Sequence, residues 1–184
     1  MRGYLLMAPL GVPFRFTRRS LAATLILWLF LTLLGVWWLP ASWGTALLFG
    51  ILATILHWFS ETSHQYGHAW VARRVGYPMF ALRSWYLLIA SFYPRAEPEL
   101  PPLTHIKRAL GGPVVSLLFA FIGLLLWLLL PVTGMAHGLI RFFTLENFFL
   151  LFLGSLMPLG FTDGSTLLKW VPLWRAERRM GKEA

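Results

Sequence analysis

The chain has no cysteine among its 184 residues. Disulfide frameworks, thiolate metal sites and cysteine nucleophiles are therefore excluded. Charge is scarce as well: Asp, Glu, Lys and Arg together make up 12 % of the sequence, about half the share of a soluble domain. Acidic residues are the rarest, seven against sixteen Lys and Arg. What fills the chain instead is apolar: 58 % hydrophobic residues, ten Trp and fifteen Phe, with a mean hydropathy of +0.66. Such a surface would aggregate in water but suits lipid, where aromatic rings collect at the interfaces. The composition excludes a disordered chain and points to an integral membrane protein. The net charge of +9 does not indicate nucleic acid. The basic residues stand at the ends of apolar runs, not in a patch interleaved with polar and aromatic groups.

A membrane span needs about 20 predominantly apolar residues. Residues 21–39 meet this without a charge, and Pro40 closes them. A second run opens at Trp43 or Gly44, stays apolar through Phe59 and continues as helix-forming sequence to about Val75. A third extends from Ile106 or Ala109 to Leu130, before Pro131, and a fourth from about Phe142 to Met157, before Pro158. The first run is too long for a signal-peptide core and ends without a small-residue cleavage site. Of the sixteen Lys and Arg, only Arg141 falls between the third and fourth spans, and none falls between the first and second. The positive-inside rule then puts both termini in the cytoplasm. The sequence reads as an all-α, four-span protein in three parts: a basic N-terminus with the first span (1–43), a membrane core (44–170) and a basic tail on the cytoplasmic lipid surface (171–184). The stretch 79–93 is apolar, too short to span and bounded by prolines. It suits a re-entrant or β segment, an interfacial segment or a hydrophobic surface loop.

Ionisable groups at membrane depth are costly unless partnered, so they mark functional candidates. Glu97, Glu99, Glu177 and Glu183 fall in loop or tail and read as solvated charges, and Glu146 reads as interfacial. Glu61 and Asp163 remain. Glu61 belongs to a series, His57, Glu61, His64 and His68, confined to about 60° of one helix face. His64 and His68, four residues apart, project two imidazoles to one point, as a helix offers two zinc ligands. Asp163 is the chain's sole aspartate, and proline and glycine around it let the backbone turn and approach closely. Haem would need axial ligands on opposite sides, which two histidines on one face do not provide.

These residues resemble the motifs of the site-2 protease family of intramembrane zinc metalloproteases. The family's first motif, H-E-x-G-H, is matched by His64-Gln65-Tyr66-Gly67-His68, followed by Ala69 and by Arg73-Arg74-Val75-Gly76. Its later motif, N-x-x-P-x-x-x-x-D-G, is matched by Ser155-Leu156-Met157-Pro158 and, at the same spacing, Asp163-Gly164. Gly111-Gly112-Pro113 is similar to the small-small-Pro signature between them. The resemblance covers about residues 44–169. It implies one zinc ion held by His64, His68 and Asp163 with a fourth position left open, and a transmembrane protein or peptide as substrate, cut near the cytoplasmic face of a bacterial or archaeal cell membrane.

Two positions depart from the family pattern. Gln65 stands where the family has its catalytic glutamate, and a neutral amide cannot take a proton from water. Ser155 stands where an asparagine supports the substrate or transition state. Glu61 has a suitable azimuth to replace the missing base but lies about 6 Å nearer the helix N-terminus than Gln65. It is equally suited to ligate the metal or to orient a ligating histidine, and His105 offers a third source of a base. Two functions follow: a zinc-dependent intramembrane endopeptidase, or an impaired relative that binds zinc or transmembrane helices without cutting. Nothing in the sequence speaks to oligomeric state.

Overall fold

A computed structural model of the chain describes residues 3–39 and 42–183; Pro40, which the sequence marks as the end of the first span, lies outside them. Four helices are long and apolar enough to cross a membrane: α1 (Arg18–Trp38), α2 (Trp43–Arg74), α3 (Pro102–Leu129) and α4 (Gly134–Leu156). A fifth helix, α5 (Asp163–Glu183), is basic and mostly exposed. Four short strands complete the architecture: β1 (Tyr4–Met7), β2 (Phe14–Phe16), β3 (Ala81–Trp85) and β4 (Leu88–Phe92), in one sheet of order β1-β2-β3-β4.

Local chemistry sets the helix starts. The Thr17 side chain accepts from Ser20 N–H at α1, and Ser42 accepts from Thr45 N–H at α2, each satisfying a backbone donor that the helix leaves open. Helix α2 lies between α1 and α3. Glycines allow both approaches: a Cβ on Gly50 would strike Thr32 of α1, and one on Gly67 would come 2.5 Å from the Gly111 carbonyl of α3. With 32 residues, α2 is about 48 Å long, well beyond a hydrocarbon core of about 30 Å. It is thus longer than an upright span requires.

Three boundaries differ from the sequence reading. Helix α3 begins at Pro102, because proline at the first helical position costs no hydrogen bond. Helix α4 begins at Gly134, well before Phe142, and residues Glu146–Leu153 within it are π-helical. The N-terminal segment, read as a basic lead-in, holds β1 and β2. Strand β2 pairs parallel with β3, and Thr17 N–H donates to Ser84 Oγ at 2.8 Å.

Residues 79–93, for which the sequence leaves three readings open, hold β3 and β4, joined by a two-residue turn with Tyr86 at φ 54°. Phe14, Leu82 and Ile89 from the sheet pack with Val12, Met79 and Ala69 in a buried cluster against α2. A second cluster, Leu31, Phe49 and Ala53 with Leu139 and Phe142, joins α1, α2 and α4. The sheet thus lies along the C-terminal half of α2, where the histidines are.

Candidate metal centre

Helix α2 brings His64 and His68 to the face that meets α3. Each ring is held through Nδ1: His68 Nδ1–H donates to the Arg108 carbonyl at 2.7 Å, and His64 Nδ1 hydrogen-bonds with Ser116 Oγ at 2.8 Å. The bond to a carbonyl fixes the His68 tautomer and leaves its Nε2 lone pair free, the usual state of a ligating imidazole. Both Nε2 atoms then point to the same place, 3.1 Å apart.

Asp163 completes the group. The turn between α4 and α5 is clamped by Thr162, whose hydroxyl donates to the Met157 carbonyl, and by Gly160 N–H, which donates to Ser165 Oγ at 2.6 Å. Gly164 sits so close to the end of α4 that a Cβ would strike the Leu156 carbonyl. This geometry delivers the Asp163 carboxylate with Oδ2 3.4 Å from His64 Nε2 and Oδ1 3.4 Å from His68 Nε2. Burial disfavours its charge, but the two imidazoles, once protonated, outweigh burial and hold the carboxyl down at about 2.

These spacings fit a metal ion. Ligand atoms about 2.0–2.1 Å from a tetrahedral zinc stand about 3.3–3.4 Å from one another, against 3.1, 3.4 and 3.4 Å here. The three side chains form a group able to hold a cation among the described residues. Gly112 explains the Gly-Gly-Pro signature: any Cβ there would collide with Nε2 of both histidines, so only glycine lets α3 pass behind the site.

A cavity of about 650 Å³ opens over the group, lined among others by Glu61, Gln65, β4, Arg108 and Ser155. Glu61 Oε1 accepts from Ile89 N–H at 2.7 Å, and Gln65 Oε1 accepts from Ser91 Oγ–H at 2.8 Å. Glu61, a candidate base, and Gln65, at the position of the family's glutamate, are thus both bonded to β4. Ser155 is half-buried, its hydroxyl donating to the Phe152 carbonyl at 3.0 Å. His105 stacks on Trp170 of α5, ring centroids 3.9 Å apart.

His57 shares the helix face of Glu61 but belongs to a different environment. Its Nδ1 lies 2.5 Å from Glu146 Oε1 and its Nε2 lies 3.0 Å from the Leu87 carbonyl. Glu146, expected at the interface, is buried in this pair, because an imidazole on α2 faces it across the bundle. Nε2 must donate to the carbonyl, so the pair shares one proton between Nδ1 and Oε1 and is neutral as a unit.

Glu97 also departs from its reading as a solvated charge. Arg108 is buried, and Glu97 accepts from its guanidinium at 3.0 Å while Tyr93 stacks on the other side at 3.4 Å. Arg108 was not singled out by sequence because a cation beside a membrane helix also fits an orientation signal. Burial pushes the Tyr93 phenol up, which keeps it neutral at physiological pH.

No family model matches the chain, and no curated protein matches it in sequence. Among solved structures it is similar to the site-2 protease from Methanocaldococcus jannaschii, with a TM-score of 0.62 and 16 % identity over 91 % of this chain and 70 % of that one. Four apolar helices and this likeness together describe an integral membrane protein with the site-2 protease fold.

Proposed function

We propose that the protein is a zinc-dependent intramembrane endopeptidase that cuts transmembrane polypeptides near the cytoplasmic face. The observation that carries this reading is the meeting of His64 Nε2, His68 Nε2 and the Asp163 carboxylate at zinc-ligand spacing. Both termini lie in the cytoplasm, in keeping with fifteen of sixteen Lys and Arg on that side. From Trp43, His64 is about 31 Å along α2, close to the thickness of the hydrocarbon core, so the site sits at the inner boundary of the bilayer.

His64, His68 and Asp163 would hold the ion, and Lewis acidity for polarising a peptide carbonyl and acidifying water is what zinc supplies when bound. The remaining work belongs to the chain. Ser116 and the Arg108 carbonyl keep the imidazoles aimed. The apolar cavity walls limit water around the scissile bond. Of the carboxylates lining the cavity, Glu97 is paired with Arg108 and Asp163 would ligate the metal, which leaves Glu61 to take a proton, since Gln65 cannot.

A second reading has a specific observation in its favour. Gln65 occupies the position of the family's glutamate, and its carbonyl oxygen is taken by Ser91. That arrangement suits a protein that retains the metal and the polypeptide cavity but does not hydrolyse. Purified protein with zinc and a panel of single-span substrates separates the two. Cleavage by the wild type that disappears in Glu61→Gln supports the endopeptidase. A silent wild type that gains cleavage in Gln65→Glu supports the second reading.

A further inference from the structure

Three side chains on one face of α2 bind three alternate positions of the hairpin. His57 donates to the Leu87 carbonyl at 3.0 Å, Glu61 accepts from Ile89 N–H at 2.7 Å, and Gln65 accepts from Ser91 Oγ–H at 2.8 Å. The match is metric. Four helical residues rise about 6.0 Å and two strand residues about 6.6 Å, so positions 57, 61 and 65 keep step with 87, 89 and 91. Strand β4 therefore runs alongside α2 and in its direction.

The middle contact differs in kind from its neighbours, because it engages a backbone donor of a sheet edge. Strand β4 is the last in the sheet. Ala90 and Phe92 pair with Arg83 and Ala81 on β3, and Phe80 N–H donates to the Phe92 carbonyl at 2.9 Å. By strand alternation, the backbone groups of Ile89 and Ser91 face away from β3. An unpaired edge is a template for another extended chain, and inward-pointing charges are a known way of blocking one. Here the edge lines the cavity, and the Glu61 carboxylate, itself 2 % exposed, already occupies its Ile89 donor.

We propose that Glu61 is a latch on the free edge of β4: an extended polypeptide entering the cavity must displace its carboxylate from Ile89 N–H before pairing with the strand. This rests on the reading above that the cavity receives polypeptide. The entering backbone carbonyl replaces the carboxylate oxygen on Ile89 N–H, and the same exchange releases Glu61 into the cavity. A carboxylate is a stronger acceptor than a peptide carbonyl. The latch therefore weakens pairing for any segment that does not bring further contacts, and selects polypeptides able to unwind along several residues of β4.

Binding measured without turnover tests this. The probe is a fluorescein-labelled, 24-residue Leu/Ala single-span peptide with a central Gly-Ser-Gly break, titrated by anisotropy against the full chain in micelles containing EDTA. Glu61→Ala frees the donor and is expected to bind about tenfold more tightly than wild type. Ile89→Pro removes the same N–H, which points off the sheet and so spares the pairing with β3; added to Glu61→Ala, it is expected to cancel the gain. Glu61→Gln keeps a neutral, weaker acceptor in place, so about threefold tighter binding is expected even if Glu61→Ala proves too unstable to purify. Unchanged or weaker binding in both Glu61 variants overturns the latch, as does a double variant that binds as tightly as Glu61→Ala. If the peptide binds none of the proteins, the polypeptide cavity itself is refuted and the latch with it. If it binds all of them equally, only the latch falls.

Discussion

His68 shows how the metal centre is prepared from one residue outward. Its Nδ1–H is committed to the Arg108 carbonyl and its Nε2 is turned to Asp163, so neither tautomer nor orientation needs to change when a cation arrives. His64 depends on Ser116 in the same way. Removing a partner of this kind typically costs 10- to 100-fold in metal affinity. Ser116→Ala is thus expected to weaken zinc binding by at least about tenfold while the protein still folds, as a competing chelator would report. The pH dependence follows from the sign of the Asp163 shift. A carboxyl held near 2, below its ordinary value of 3.8, contributes fully above about pH 4 and loses its contribution only as pH falls through about 2. Acid release of zinc should therefore follow protonation of the imidazoles, whose ordinary pKa is about 6.5. Loss of most zinc between pH 7 and 5 is expected; retention to pH 3 would contradict the ligand set.

Which of these residues were legible in sequence depended on whether the signal was local. His64, His68 and Asp163 stand in short motifs. The His57–Glu146 pair joins residues 89 positions apart, and a helical stripe reports which face a residue occupies, not what packs against it. Glu97, in a proline-rich loop, carries no trace of the buried Arg108 that it meets.

At the scale of elements, the spans were readable because each is a long, predominantly apolar run closed by proline or glycine. Strands β1 and β2 were not, since they are four and three residues long and the exposed residues of β1 show no alternation, whereas for 79–93 a β segment was one of the readings that the flanking prolines and short apolar length allowed. The π-helical stretch of α4 was equally silent, and its role is visible only in contacts. It brings Glu146 to His57 and Asn147 Nδ2–H to Ser60 Oγ at 2.9 Å, so two polar links tie α4 to α2 inside the apolar bundle. Breaking a buried pair by removing one partner generally costs about 3–5 kcal/mol. His57→Ala should accordingly lower the thermal midpoint in detergent by several degrees, whereas Glu99→Ala, in the exposed loop, should leave it unchanged. Equal midpoints for the two variants would show that the pair does not hold α4 in place.

For the whole molecule, topology and site location are one question, since the metal motif must lie at the inner boundary if intramembrane cleavage is to release a product to the cytoplasm. The absence of cysteine makes this directly measurable. A single cysteine at Glu99 should resist a membrane-impermeant maleimide applied to intact cells, and one at Thr133, between α3 and α4, should react. The reverse pattern would invert the protein and move the site to the other face.

X-ray absorption at the zinc edge addresses the central assignment. One zinc per chain is expected, in a nitrogen and oxygen shell at about 2.0–2.1 Å, with outer-shell scattering from two imidazoles that falls to one in His64→Ala. A wild-type protein that holds no more zinc than the variant lacking both His64 and His68, or a zinc shell that Asp163→Ala leaves unaltered, would contradict the account.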